Sequence, residues 1–352
     1  MNFDLSEHTH RRYNPLTGQW IQVSPHRSKR PWQGQEENVP AQTAVNYDPL
    51  CYLCPGNARS GGEQNPNYQS TYSFRNDFSP LVEDTPYGKI NEQELIIARS
   101  EKGICKVVCF SPRHDLTIPE LNLVDVVKVV KHWITDFEEM GARDFINYVQ
   151  IFENKGAVMG CSNPHPHGQI WALETIPHEP LEKQVYQVGY FTRNGSTLLA
   201  DYVKLELRKG ERIILENGDF VALVPFWAAW PFETMIIPKR PMARITDMTE
   251  SEIVAMADIY RKLTIRYDNL FEVSFPYSAG IHQAPTDGHD HKEWHWHMVF
   301  YPPLLRSATI KKFMVGFEML GNPQRDITPE FGAAKLRSVS QTHYKNASVA
   351  IL

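Results

Sequence analysis

The 352-residue chain lacks any apolar run near the ~20 residues that a membrane helix needs. Its start, Met1-Asn2-Phe3-Asp4-Leu5-Ser6-Glu7, has no apolar signal core. The two absences argue against a membrane span and an export signal, and a cytoplasmic location is expected. Positive charge is not in excess either. The formal net charge of -5 gives no electrostatic case for wrapping nucleic acid or coating an anionic membrane. A small polyanionic substrate stays open, because local basic clusters can dominate a site. Cysteine is sparse and odd in number, with Cys51, Cys54, Cys105, Cys109 and Cys161. Without a signal segment, that count argues against a disulfide framework.

What is present is ordinary in bulk, with 42% apolar and 22% charged residues, as in a globular enzyme. The length suits two domains or one large one. The first hundred residues are rich in proline, glycine and aromatics, with short strand-like runs such as Gln19-Trp20-Ile21-Gln22-Val23. Helical periodicity runs through Leu123, Val126, Val127, Val130, Ile134 and Phe137 and ends near Gly141. A strand at Tyr148–Phe152 follows, and then Gly160-Cys161-Ser162-Asn163-Pro164-His165-Pro166-His167-Gly168-Gln169.

The second half repeats this order. Phe220–Val224 and Thr234–Ile237 read as strands, and Thr249 with Glu252 is a capping-box signature. The helix behind it carries Ile253, Met256, Ala257, Tyr260, Leu263 and Tyr267 on one face, and Trp294 to Tyr301 reads as a strand with its own His-x-His. The order points to an internal duplication. The expected class is α+β, with antiparallel sheets and helices packed on one face. The split is placed between Thr175 and Tyr190, which gives domains 1–178 and 190–345.

The His165-Pro166-His167 pair carries the chemistry. Two imidazoles two residues apart on a strand share a face. The prolines remove ladder donors and Gly168 invites close backbone approach, which suits an active-site strand better than a core one. The alternative is an irregular edge strand whose histidines face solvent. Cys51-Tyr52-Leu53-Cys54 is a knuckle opening into a turn, and zinc needs four convergent ligands. His165 is a candidate third ligand and His114, on a loop, a candidate fourth. His167 is then free to act as a nucleophile toward phosphorus. Gln169 could donate its amide to a phosphoryl oxygen, and the backbone of Gly160 to Ser162 with the Ser162 hydroxyl would extend the cradle. Basic clusters at His26–Arg30 and Lys311-Lys312 could grip phosphates or simply be solvated charge.

These blocks resemble the galactose-1-phosphate uridylyltransferase family, a branch of the histidine-triad-like superfamily. The resemblance rests on Arg11 to Gly18, Phe152-Glu153-Asn154-Lys155-Gly156, Cys161 to Trp171, Ala229 to Thr234 and Tyr301 to Ser307. It implies a duplicated histidine-triad-like fold and a ping-pong exchange of the Leloir pathway. The histidine at His167 attacks UDP-glucose, glucose 1-phosphate leaves, and galactose 1-phosphate takes the uridylyl group. It also implies zinc on Cys51, Cys54, His114 and His165. Substrate contacts are implied at Ser60, Asn76, Asp77, Asn154, Ser162, Gln169, Lys312, Phe313, Glu318 and Gln324. Arg27 and Arg30 match a basic segment that crosses a homodimer into the partner's site. At Phe317 relatives carry tyrosine, so a hydroxyl contact is lost there.

The resemblance further implies a second metal, often iron, held by a glutamate and three histidines. His282 and His297 match two of these. Val299 stands at the third, and the glutamate position aligns with Lys183, with Glu182 adjacent. We therefore expect the second metal to be absent or weakly held. Transfer to another acceptor such as phosphate or sulfate is the nearest rival activity, and the Lys312 to Gln324 segment argues against it. A hydrolase fits less well, because Gln169 replaces a histidine that could act on water. A zinc-stabilised nucleotide-binding protein would form no covalent intermediate.

Overall fold

The structure is a computed structural model and describes residues 2–29, 45–305 and 307–347. The chain enters through paired strands β1 (His10–Tyr13) and β2 (Trp20–Val23). Strand β3 (Tyr72–Arg75) follows, then a hairpin of β4 (Lys89–Glu92) and β5 (Ile96–Arg99), then β6 (Gly103–Cys109). Helix α1 (Leu123–Gly141) leads into β7 (Tyr148–Lys155) and β8 (His167–Leu173). The second half opens with α2 (His178–Asn194) and α3 (Leu198–Lys209). It continues through β9 (Ile213–Glu216), β10 (Phe220–Leu223), β11 (Thr234–Pro238), α4 (Glu250–Phe271), β12 (Tyr277–His282) and β13 (His297–Tyr301). A short α5 (Phe317–Leu320), β14 (Gln324–Arg325) and α6 (Pro329–Ser338) follow.

Helix α1 forms because Val126, Val129, Val130, Trp133, Phe137 and Met140 recur at three- and four-residue spacing and are all buried. Asn122 caps it by accepting from the Asp125 amide. The Thr249–Glu252 capping box starts α4, whose Ile253, Met256, Tyr260, Leu263 and Tyr267 are buried. The two helices pack on one another, with the Trp133 and Tyr260 rings 5.8 Å apart. Each large side chain buried this way contributes roughly 1.5–3 kcal/mol.

The main sheet has nine strands in the order β3-β6-β8-β7-β12-β13-β11-β10-β9, and every neighbouring pair is antiparallel. The halves meet where β7 pairs with β12, from Tyr277 opposite Lys155 to Ile281 opposite Ile151. About that seam β6-β8-β7 is mirrored by β11-β13-β12, so the duplication seen in the sequence becomes a pseudo-twofold within one sheet. Helices α1 and α4 cover the face that carries Ile170, Ala172, Ile236, Met298 and Phe300.

The stretch after Thr175, where prolines and charges break the pattern and the split was placed, is helix α2. Together α2 and α3 cover the opposite face of the second half, where Leu198, Leu199 and Val203 pack on Val221, Leu223, Met235, Ile237 and Val299. Among the described residues no helix covers the equivalent face of β8. That asymmetry leaves one histidine strand approachable and seals the other.

Candidate active site and metal centre

Along β8 burial alternates, with His167, Gln169 and Trp171 partly open and Gly168, Ile170 and Ala172 buried toward α1. His167 and Gln169 therefore share the uncovered face. Glycine at 168 suits the close packing here, since a Cβ would lie 3.0 Å from both the Phe110 ring and the Phe152 carbonyl oxygen. The imidazole is oriented locally, with Nδ1–H donating to the His165 carbonyl at 2.7 Å. This leaves the Nε2 lone pair free. Burial lowers the His167 pKa below its ordinary 6.5, so the ring is neutral at pH 7.

A cavity of about 40 Å³ lies against this ring, lined by Asn154, Gly160, Cys161, Ser162, His167, Gly168 and Gln169. Gly160 sits at φ 81° with nothing within 4 Å of where a Cβ would be, so the loop turns past the cavity without crowding it. The Gln169 oxygen accepts from Trp171 Nε1 at 3.1 Å, and the Asn154 oxygen accepts from Ser278 Oγ at 2.7 Å. With both oxygens engaged, both NH₂ groups remain as donors beside the His167 nitrogen. Such a set can hold phosphoryl oxygens while the imidazole attacks phosphorus.

Two residues earlier the strand is anchored. Cys51, Cys54, His114 and His165 bring their ligand atoms within 4.8 Å of one another, and all four residues are buried. Cys54 Sγ lies 3.5 Å from His114 Nδ1 and 3.4 Å from His165 Nδ1. A tetrahedral ion with sulfur at about 2.3 Å and nitrogen at about 2.0–2.1 Å has a sulfur–nitrogen edge of about 3.5 Å. His165 Nε2–H donates to the Ser111 carbonyl at 2.9 Å, which fixes the tautomer that turns Nδ1 toward the cluster. Burial pushes the Cys54 thiol up to about 11, and a bound cation would reverse that. The donor set fits a metal ion.

Asn163 and Tyr68 escaped the sequence reading. The Asn163 side-chain oxygen accepts from the His165 amide at 2.9 Å and from Cys51 Sγ at 3.5 Å, tying knuckle to strand. Its place before Pro164 was the available signal, since an Asn-Pro pair marks a turn. Tyr68 OH donates to the Leu53 carbonyl at 2.6 Å. Arg59, also unforeseen, ion-pairs with Asp77 at 3.5 Å, and the Gly61 amide donates to Asp77 at 3.0 Å. Ser60, Asn76 and Asp77 thus form one loop pair at the β3 side of the sheet.

The remaining predicted contacts lie elsewhere. Arg27 and Gln324 both donate to Asp326, at 3.0 and 2.7 Å. Lys312 pairs with Glu318, and Phe313 and Phe317 are exposed. None of these residues lines the His167 cavity. Lys312 to Gln324 follow β13, three strands from β8 in the main sheet, and Arg27 follows β2 in the small sheet β1-β2-β14. Arg30 falls outside the described residues.

Glu182, His282 and His297 do not converge as a metal-holding group among the described residues. Lys183 Nζ sits within hydrogen-bonding reach of His282 Nδ1 and 3.4 Å from His297 Nε2. Burial pushes Lys183 down to about 8. His295, one strand step before His297, already bonds Thr197 Oγ1 at 3.1 Å and the Pro238 carbonyl at 2.9 Å. A larger cavity of about 410 Å³ opens beside Lys183, His282, Glu179 and Glu233. It holds none of the residues around His167.

The family described as galactose-1-phosphate uridyl transferase, N-terminal domain, matches residues 1–177, and its C-terminal counterpart matches residues 182–348. A galactose-1-phosphate uridylyltransferase of Haemophilus influenzae is 52% identical over 343 residues, covering 97% of this chain and 98% of that protein. One from Saccharomyces cerevisiae is 51% identical over 357 residues, again covering 97% and 98%. Among solved structures, a uridylyltransferase superposes with a TM-score of 0.75 at 25% identity, covering 94% of this chain and 98% of that one.

Proposed function

The chain belongs to the galactose-1-phosphate uridyl transferase family, and on that premise we propose that it exchanges a uridylyl group between hexose 1-phosphates through His167. In the first half-reaction the His167 Nε2 lone pair attacks the α-phosphorus of UDP-glucose. The bond from that phosphorus to the bridging oxygen breaks, and glucose 1-phosphate departs with the electron pair. In the second, a phosphate oxygen of galactose 1-phosphate attacks the same phosphorus and releases the imidazole, giving UDP-galactose. Asn154, Gln169 and Ser162 donate to the phosphoryl oxygens as charge develops.

The observation that carries this reading is the single hydrogen bond from His167 Nδ1–H to the His165 carbonyl. It fixes the tautomer, aims the other nitrogen into the cavity and ties the nucleophile to the metal-binding strand. The test is direct. Protein incubated with UDP-glucose labelled at the α-phosphate, without acceptor, should retain acid-labile, base-stable label on His167. Galactose 1-phosphate should discharge it faster than inorganic phosphate does. An active preparation that never holds label would overturn the covalent route.

Zinc is the ion proposed for the cluster, since two thiolates and two imidazoles in a closed tetrahedron are its usual structural set. With all four positions filled by protein, its part is to hold the start of β8, not to meet substrate. Two unpaired ligand thiols also suit a reducing cytoplasm.

The proposed assembly is a homodimer in which Arg27 and the Lys312–Gln324 segment serve the partner's His167. The support is that none of them lines the His167 cavity of its own chain. Mixing His167→Gly with Lys312→Ala protein, under conditions that exchange subunits, should then regain activity that neither variant has alone. One of the two sites in each mixed dimer is intact. No gain after verified exchange would place both residues in one subunit's site.

A further inference from the structure

The two His-x-His strands are built alike. His165 Nε2–H donates to the carbonyl of Ser111 at 2.9 Å, and His295 Nε2–H donates to that of Pro238 at 2.9 Å. His167 Nδ1–H donates to the His165 carbonyl at 2.7 Å, and His297 Nδ1–H donates to the His295 carbonyl at 3.1 Å. The second repeat therefore keeps a copy of the nucleophile with its Nε2 lone pair turned away from the backbone, in a ring that is fully buried. What differs is what that lone pair meets. His167 faces a cavity, whereas His297 faces Lys183 on α2.

Lys183 is 4% exposed, and its Nζ reaches His282 as well as His297. An imidazole lone pair accepts from an ammonium as it would bind a cation. Two such lone pairs converging on one point in a buried site would leave an unmet need if nothing lay between them. Glu179, Glu182 and Glu233 are near enough to favour the charged lysine. The family resemblance implies a metal at this place, but the residues do not fit one. Val299 offers no ligand, both nitrogens of His295 are engaged, and an amine stands where a carboxylate would be needed.

We propose that the Lys183 ammonium is a built-in cation of the second repeat, donating to His282 and His297 from the place a divalent ion would take and keeping this half free of metal. It joins α2 to β12 and β13 without requiring metal supply. The role deepens the reading of the protein as a single-zinc enzyme, yet it is tested separately from the first cluster.

Lys183→Glu exchanges the amine for a carboxylate facing the same two imidazoles, which makes a three-ligand set. After exposure to excess zinc and dialysis, this variant should hold one equivalent more per chain than the parent. Adding His297→Ala should remove that equivalent. Loaded with cobalt(II), the new site should add visible ligand-field bands without a thiolate charge-transfer band, which distinguishes it from the Cys51–Cys54 cluster whatever that cluster binds. A folded Lys183→Glu protein with no extra metal would overturn the proposal, as would a second stoichiometric ion in the parent. Should Lys183→Glu fold only when zinc is added, the proposal stands. If it folds under neither condition, Lys183→Met decides: a Tm several degrees below the parent supports the ammonium's role, and an unchanged Tm overturns it.

Discussion

Replacing His167 by glycine is expected to lower kcat on the order of 10⁴-fold or more, with metal content and Tm close to those of the parent. The loss corresponds to at least about 5.5 kcal/mol at 1.36 kcal/mol per tenfold. It is that large because no neighbour can take over the attack. Among the described residues that line the cavity, Ser162 has no base beside it once His167 is removed, and the Cys161 thiol is raised by burial and donates to the Asn163 carbonyl at 3.1 Å, so it is not a thiolate at pH 7. The fold should survive because the side chain is only partly buried and its one hydrogen bond is to a backbone carbonyl two residues away.

The same geometry sets the pH dependence. The attacking form is the neutral imidazole, and burial holds its pKa below 6.5. Activity should be flat through neutrality and fall only as pH drops through that lowered value. The variant has no such limb. A His167→Gly protein with more than a few per cent of parental activity, at normal metal content, would remove His167 from the chemistry.

Much of this was readable beforehand, and where it failed the reason is physical. The α1 and α4 stripes were legible because Val126 to Met140 and Ile253 to Tyr267 are apolar at helical spacing and face one core. Helix α2 was not, because its buried residues are Pro180, Lys183 and Gln187. A helix that turns a lysine and an amide inward has no hydrophobic period to detect. It starts after Pro177 with Pro180 in its first turn, where proline is tolerated but easily taken for a break. The strand expected from Trp294 begins only at His297, because the His295 amide donates to the Gln187 side chain and the Trp296 amide to the Met242 carbonyl, outside the ladder of the sheet.

In the site, Cys51 and Cys54 announced themselves by spacing. His114 did not, since a loop histidine sixty residues from its partner thiol gains meaning only when the sheet brings it back. Lys183 was noticed as a substitution, but its contact with two imidazoles is tertiary and leaves no trace in one sequence.

The second large effect should come from Cys54→Ser. The residue is fully buried and its sulfur touches both histidines of the cluster. Serine keeps the size but is a poor zinc ligand, so the metal should be lost, as elemental analysis of the dialysed protein would read. The cost is set by what the cluster joins: the Cys51–Cys54 knuckle, the loop of His114 and the start of β8. Zinc-finger peptides draw about 10–16 kcal/mol from such a site, but there the metal is nearly the whole core. Here the knuckle also packs through Leu53, Tyr68, Phe74 and Val107, so only part of that is felt. A loss of roughly 3–5 kcal/mol, within the range that loss of a structural metal can reach, should lower Tm by about 4–7 °C, at about 1.4 °C per kcal/mol for a chain of this length. Activity should fall with it even though no ligand meets substrate, because the His165 carbonyl that holds His167 belongs to a metal ligand. The covalent label per chain should drop in step with zinc. A Cys54→Ser protein that keeps parental zinc, Tm and labelling would show that the four ligands do not hold the strand, and that His167 is positioned by something else.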